Sequence, residues 1–213
     1  SALGIYLVIL TDIVVLFIGG ICFLSGILYT FGPVPISRLP LGEIVSGLFY
    51  GFCIPFLVLY INMPKGTFLI IDYNTTSMVL YLRLNILAIM RVILLSVAPV
   101  CATANIMLAN NICDLKKDVS VKRYTLPYYL GNKAISLFAW IYYVTYIATV
   151  LMVLLEILSP LTLLSVLTIF IVQKHIKQFS KVQDKETTFL VSIKNYVIIM
   201  GTNTLLIFLS GLL

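Results

Sequence analysis

Asn110-Asn111-Ile112-Cys113-Asp114-Leu115-Lys116-Lys117-Asp118 closes the apolar run Asn85 to Ala109 and opens a loop rich in basic residues. Asn110, Asp114 and Asp118 recur every four residues, so a helix would carry them on one face, about 6 Å apart along its axis. Two carboxylates and an amide oxygen on one stripe suit a hard cation such as Mg²⁺, which takes oxygen ligands and keeps several for water or a substrate phosphate. Lys116, Lys117, Lys122 and Arg123 follow closely and are placed to neutralise the remaining phosphate charge. A solvated, mixed-charge loop capping a membrane helix fits the same spacing equally well.

The apolar run explains why this stretch decides the fold. The chain is 61% hydrophobic and only 10% charged, with a mean hydropathy of +1.10. So little charge cannot cover a water-soluble domain, and several apolar runs reach the ~20 residues that cross a bilayer as a helix. The expectation is an all-α, polytopic transmembrane helix bundle with about six complete spans plus a partial first helix. The net charge of +6 then reflects loop bias towards one membrane face, and a nucleic-acid partner is not needed to explain it.

In chain order, Ser1 to Leu10 is too short to span. Thr11-Asp12 is read as a tight turn in which Asp12 caps the following span, Ile13 to Phe31, because an unpaired carboxylate in mid-membrane is costly. The loop Gly32 to Gly42 carries three prolines. Glu43 to Ile61 is the next span, where Gly47, Gly51 and Pro55 mark close packing or a kink. Asn62 to Leu84 reads as a mildly polar loop whose Asn74-Thr75-Thr76 matches a glycosylation sequon. Further spans are Asn85 to Ala109, Ala134 to Leu155, Pro160 to Val172 (extended at one end) and Asn195 to Leu213. Lys174 to Lys194 reads as a basic, partly amphipathic segment, and the lone His175 within it as a solvated residue.

Alternating these spans puts Arg38, Lys116, Lys117, Lys122, Arg123, Lys133, Lys174, Lys177, Lys181, Lys185 and Lys194 on one face, against Lys65 and Arg83 on the other. The positive-inside rule assigns the face bearing the Asp motif to the cytoplasm. Arg91 lies about 28 Å from Asn110 along a helix, near the far interface, where snorkelling accounts for it. Cys22, Cys53, Cys101 and Cys113 have no paired spacing of the kind metal or redox centres use, and no disulfide is expected.

Two stretches together resemble the UbiA-type intramembrane prenyltransferases, in particular the branch that prenylates 1,4-dihydroxy-2-naphthoate in menaquinone synthesis. Asn110 to Asp118, with Lys122-Arg123-Tyr124-Thr125-Leu126 and Leu130-Gly131, is similar to the second Asp-rich motif. Tyr29-Thr30-Phe31-Gly32-Pro33-Val34-Pro35, continuing to Leu41-Gly42-Glu43, is similar to that branch's Tyr-Thr-Gly-Gly-Pro loop and following Leu-Gly-Glu. The resemblance implies a bundle of nine helices around a cavity open near the cytoplasmic face. It also implies Mg²⁺-dependent transfer of a polyprenyl group from polyprenyl diphosphate to an aromatic acid acceptor, giving demethylmenaquinone. On this resemblance Asp114 and Asp118 are the catalytic and Mg²⁺-coordinating residues, with Asn110 as a further oxygen ligand. Asn110, Asn111, Lys117, Lys122 and Arg123 would meet the diphosphate, and apolar helix faces the prenyl tail.

The departures are also specific. Nothing matches the family's first Asp-rich motif, so residues 1–213 read as a single transmembrane prenyltransferase-like domain, N-terminally incomplete. Lys122 stands where many members have Gly, and Tyr124 where a basic residue is frequent. A UbiA-type enzyme with another aromatic acceptor, or a truncated non-catalytic protein that binds membrane lipid, are the alternatives. A secondary transporter would favour polar midplane residues and broken helices, of which Asn105 and the glycines are the only traces. A menaquinone role points to a bacterial plasma membrane.

Overall fold

The computed structural model describes residues 2–213. Six of its helices are long and apolar enough to cross a membrane. A backbone in lipid must satisfy its own hydrogen bonds, and helices do so within one segment. The helices are α1 (Ala2–Leu10), α2 (Ile13–Thr30), α3 (Gly42–Leu48), α4 (Ile54–Asn62), α5 (Ile86–Cys113), α6 (Leu115–Ser120), α7 (Leu126–Leu130), α8 (Lys133–Leu154), α9 (Ile169–Lys181) and α10 (Leu190–Ser210). Helices α3 and α4 join through a π-helical turn, Phe49–Cys53, into one span, Gly42–Asn62. A 3₁₀ stretch, Pro160–Thr168, leads into α9 and makes the fifth span, Pro160–Lys181.

Asp12 ends the short α1 and caps α2, as its position suggested. One carboxylate oxygen accepts the Val14 N–H at 2.9 Å and the other the Tyr60 hydroxyl at 2.7 Å. Both oxygens being partnered is what lets a carboxylate sit beside apolar helices.

The glycines of the second span set the packing that positions everything at its head. A Cβ on Gly51 would lie 2.4 Å from the Cα and N of Val100, and one on Gly47 2.9 Å from the Val100 carbonyl oxygen. Only glycine allows α5 to approach this closely. Pro55 offers no N–H to the carbonyl four residues earlier, and the π turn Phe49–Cys53 lies immediately before it, where such interruptions occur. The contact brings Gly42 and Glu43, at the head of α3, alongside the end of α5.

The main core lies between α5, α8, α9 and α10, around Leu108, Phe138, Tyr142, Val172, Phe179 and Ile199. Polar groups cross it. Asn105, fully buried, donates to the Phe138 carbonyl at 2.9 Å, and the fully buried Asn195 Oδ1 pairs with His175 Nδ1 at 2.6 Å. The Tyr142 hydroxyl lies close to both amides. Inter-helix hydrogen bonds of this kind hold membrane helices in register where no hydrophobic force does.

Three features depart from the expectations. The loop 62–84 contains an antiparallel β-hairpin, β1 (Leu69–Asn74) with β2 (Val79–Leu84). Its turn uses the Asn74 side chain, which accepts from the Thr76 and Ser77 N–H groups, so turn chemistry accounts for the Asn-Thr-Thr triplet. The basic segment Lys174 to Lys194 is not one unit: it divides into the last turns of α9, a short connection and the first turns of α10, and α9 buries Val172, Ile176 and Phe179 along one side. His175 is half-buried against Asn195 rather than solvated.

Candidate functional site

The two stretches that carry the family resemblance meet in space. Helix α5 ends at Cys113, yet the Asp114 N–H still bonds the Asn110 carbonyl and the Asp118 N–H the Asp114 carbonyl. The helical spacing through Asn110, Asp114 and Asp118 is therefore nearly kept across the junction with α6. The loop 31–41 lies against this junction. Arg123 Nε donates to the Ser37 carbonyl at 2.7 Å, and the Tyr124 N–H to the Arg38 carbonyl at 3.2 Å.

The motif residues divide into two groups. In the first, Asn110 Oδ1 and Asp114 Oδ2 converge on one cation, the ammonium of Lys185, which is 2.6 Å from the carboxylate oxygen. Lys185 comes from the connection between α9 and α10. Asp184 shapes that connection by accepting from the N–H groups of Glu186 and Thr187 and from the Thr187 hydroxyl. Those bonds, the Thr187 hydroxyl foremost, hold the Asp184 carboxyl below the usual carboxylate range. The Lys185 ammonium also stands 4.8 Å from the centre of the Phe189 ring, a cation–π distance.

The second group is buried. Asp118 is 4% exposed, and its Oδ1 faces the Arg123 guanidinium at 3.4 Å. The same guanidinium reaches Asn111 Oδ1 at 3.4 Å, and Asn111 Nδ2 donates to Glu43 Oε1 at 2.8 Å. Glu43, Asn111, Arg123 and Asp118 thus form a chain of side chains from α3 to α6. Burial pushes the Asp118 carboxyl above its ordinary value, and Asp114 adds to this against the pull of Arg123. A second oxygen on each acid, Glu43 Oε2 and Asp118 Oδ2, is buried with no protein partner. Such oxygens are rare in folded proteins and call for a partner such as water or an ion.

Lys117, on α6, and Lys122, in the turn after it, are both exposed. Lys122 adopts φ +57°, the left-handed conformation that favours glycine. Glu43 and Lys185 were not singled out as site residues from the sequence. A carboxylate at the head of an apolar span was a usable signal for Glu43. Nothing distinguished Lys185 from its basic neighbours.

Below the buried group lies an apolar cavity of about 470 Å³ between α2, α3 and α5, lined by Cys22, Tyr29, Ser46, Phe49, Tyr50 and Met107 among others. Tyr29 and Met107 touch at its head, 3.6 Å apart, where Gly42 separates them from Asn111. Among the described residues no three His, Cys, Asp or Glu side chains come together closely enough to hold a metal ion. The oxygen donors do fit part of a divalent-cation site: one amide and one carboxylate already share a cation, and Asp118 Oδ2 is buried and free.

These features define an integral membrane helix bundle with an acidic and basic polar site at one end and an apolar cavity beneath it. The chain belongs to the UbiA prenyltransferase family, which it matches over residues 1–196. Over 138 residues it is 30% identical to the 1,4-dihydroxy-2-naphthoate octaprenyltransferase of Bacillus subtilis (strain 168). That stretch takes in 64% of this chain and 37% of the relative, so the chain spans well under half of that protein's length. No solved structure matches the chain.

Proposed function

We propose that the protein transfers a polyprenyl group from polyprenyl diphosphate to 1,4-dihydroxy-2-naphthoate in menaquinone biosynthesis, with the acidic site at the cytoplasmic face of a bacterial plasma membrane. The observation that carries this reading is the proximity of a polar group holding carboxylates and a guanidinium to an apolar cavity. The two meet around Gly42, which lies beside Asn111 on one side and the cavity residues Tyr29 and Met107 on the other. A donor with a diphosphate head and a hydrocarbon tail needs both, adjacent and in that order.

In this reading Asn110, Asp114 and Asp118 hold Mg²⁺, which when bound neutralises the diphosphate and stabilises its departure. Arg123, beside the buried Asn111 and with Lys117 and Lys122 at the rim, meets the diphosphate oxygens, and Arg123 supplies several donors from one rigid plane. Lys185 leaves Asp114 as the diphosphate arrives and turns to it. The bond from the allylic carbon to oxygen breaks, the diphosphate leaves with the electron pair, and the carbocation is shielded from water by the cavity walls. The acceptor ring then forms the new carbon–carbon bond and loses its carboxyl group as CO₂, the electron pair of that bond restoring the aromatic ring and giving demethylmenaquinone in its reduced, hydroquinone form.

The test is product formation in nanodiscs from polyprenyl diphosphate, 1,4-dihydroxy-2-naphthoate and Mg²⁺. Turnover that disappears in Asp114→Ala supports the reading. Binding of the polyprenyl diphosphate without turnover of any aromatic acid would favour a non-catalytic lipid-binding role, consistent with a site in which fewer than three acidic groups converge.

A further inference from the structure

The β-hairpin between α4 and α5 divides its side chains unequally. The register pairs Leu69 with Leu84, Ile71 with Leu82 and Tyr73 with Leu80. Side chains alternate across a strand, so these six residues share one face, and all are apolar or aromatic. The other face carries Ile70, Asp72 and Asn74 opposite Arg83, Tyr81 and Val79, with Asp72 and Arg83 joined at 2.8 Å. The polar face is partnered in its charges, with Tyr81 and Val79 exposed beside them. The apolar face lies largely open: Tyr73 is 55% exposed, Leu80 62%, Leu82 58% and Leu84 48%. A patch of this kind is seldom left in water.

We propose that the hairpin lies on the membrane surface opposite the acidic site, with this face among the lipid chains at the headgroup boundary. Three observations select lipid as the occupant. The hairpin is tied close to the bilayer on both sides, since β2 ends one residue before α5 and the Asn85 N–H bonds the Phe68 carbonyl at 2.8 Å. Phe68 itself is buried against Phe56 and Val92 of the adjoining spans. Exposed apolar side chains recur just beyond the hairpin, at Ile86, Leu87 and Met90 on the first turns of α5. Finally, α5 has 28 residues and so measures about 42 Å, longer than the ~30 Å hydrocarbon core. Its start, where the hairpin sits, therefore falls in the opposite interface when its end carries the acidic site. Tyr73 and the ion pair suit that layer, where aromatic rings and charges coexist.

The experiment uses Trp emission from the whole chain in lipid nanodiscs, in a Trp140→Phe background that removes the native indole. Tyr73→Trp probes the apolar face and Tyr81→Trp the polar face, each by an aromatic exchange. The expected result is a blue-shifted Tyr73→Trp emission that brominated acyl chains quench and acrylamide does not. Tyr81→Trp should show the reverse. Leu80→Trp repeats the apolar measurement at a second position, in case Tyr73→Trp disturbs the turn. Acrylamide quenching of both faces with no effect of brominated lipid would show the hairpin standing in water and overturn the proposal. An apolar face shielded from both quenchers would also overturn it, and would assign the face to another polypeptide segment or a second copy of the chain.

Discussion

Lys185 Nζ lies 2.6 Å from Asp114 Oδ2 across 71 positions of sequence, an internal cation seated on the motif that the family resemblance assigns to a metal. The two side chains are 41% and 24% exposed, and partly solvated pairs of this kind contribute at most about 1 kcal/mol. The contact is therefore weak enough to exchange.

Replacing Lys185 by Met removes the competing charge. Mn²⁺ alone, followed by electron paramagnetic resonance, should bind two- to fivefold more tightly, which corresponds to about 0.5–1 kcal/mol. Mn²⁺ with inorganic pyrophosphate should bind less tightly, because Lys185 then acts as a phosphate partner. Unchanged affinity in both titrations would show that the contact has no part in ligand binding.

Gly51→Ala places a methyl group against the backbone of α5, and backbone cannot move aside as a flexible side chain can. A loss of roughly 1–3 kcal/mol of stability is expected, in the range of overpacked cores, read as a lowered melting temperature in detergent. Gly26→Ala is the matched control, since a Cβ there meets nothing within 4 Å. Equal melting temperatures for the two variants would refute the close-approach argument.

Arg123 serves three acceptors on three segments: the Ser37 carbonyl, Asp118 and Asn111. Arg123→Lys keeps the charge but offers one point donor in place of a fork. It should therefore weaken pyrophosphate binding nearly as much as Arg123→Met does, and should loosen the 31–41 loop in hydrogen exchange. Full binding in the Lys variant would mean that charge alone matters here.

The raised pKa of Asp118 gives a pH dependence with a definite sign. The folded chain holds this proton at pH values where the unfolded chain has released it, so the folded state binds more protons across that window. Stability then falls as pH rises from the ordinary carboxylate value, 3.8, through the raised one. Asp118→Asn should remove that decline and leave the protein at least as stable at neutral pH, while pyrophosphate–Mn²⁺ binding is lost. A variant that melts lower than the parent at pH 7 would contradict burial as the dominant cause of the shift.

Much of the fold was legible because apolar length is a one-dimensional property: spans, the Asp12 turn and the close packing at Gly47 and Gly51 all follow from local composition. The hairpin was not, because Leu69, Ile71 and Tyr73 pair with residues across a turn, and alternation over six residues was obscured by Ile70, Val79 and Tyr81 on the otherwise polar face. The extent of the fifth span was missed because lysines on the solvent side of α9 lowered its mean hydropathy while Val172, Ile176 and Phe179 kept it packed. At the site, Asn110, Asp114 and Asp118 could be read as a group from their four-residue rhythm, and Asn111 from the family resemblance. Their division between Lys185 and Arg123 could not, since it depends on chain segments 71 and 5 residues away.

The amide of Asn195 bears on how the molecule is made. Helix α10 is the last of the described helices to leave the ribosome, and its Asn195 is the residue that meets His175 and stands beside Tyr142 in the finished bundle. Until it arrives, α5, α8 and α9 carry hydrogen-bonding groups into lipid with an incomplete set of partners, a state that costs free energy for each group left unmet. Packing of α5, α8 and α9 around this polar cluster is thus completed only when α10 joins them. A ribosome stalled before residue 195 would leave a nascent chain that quality-control proteases can recognise.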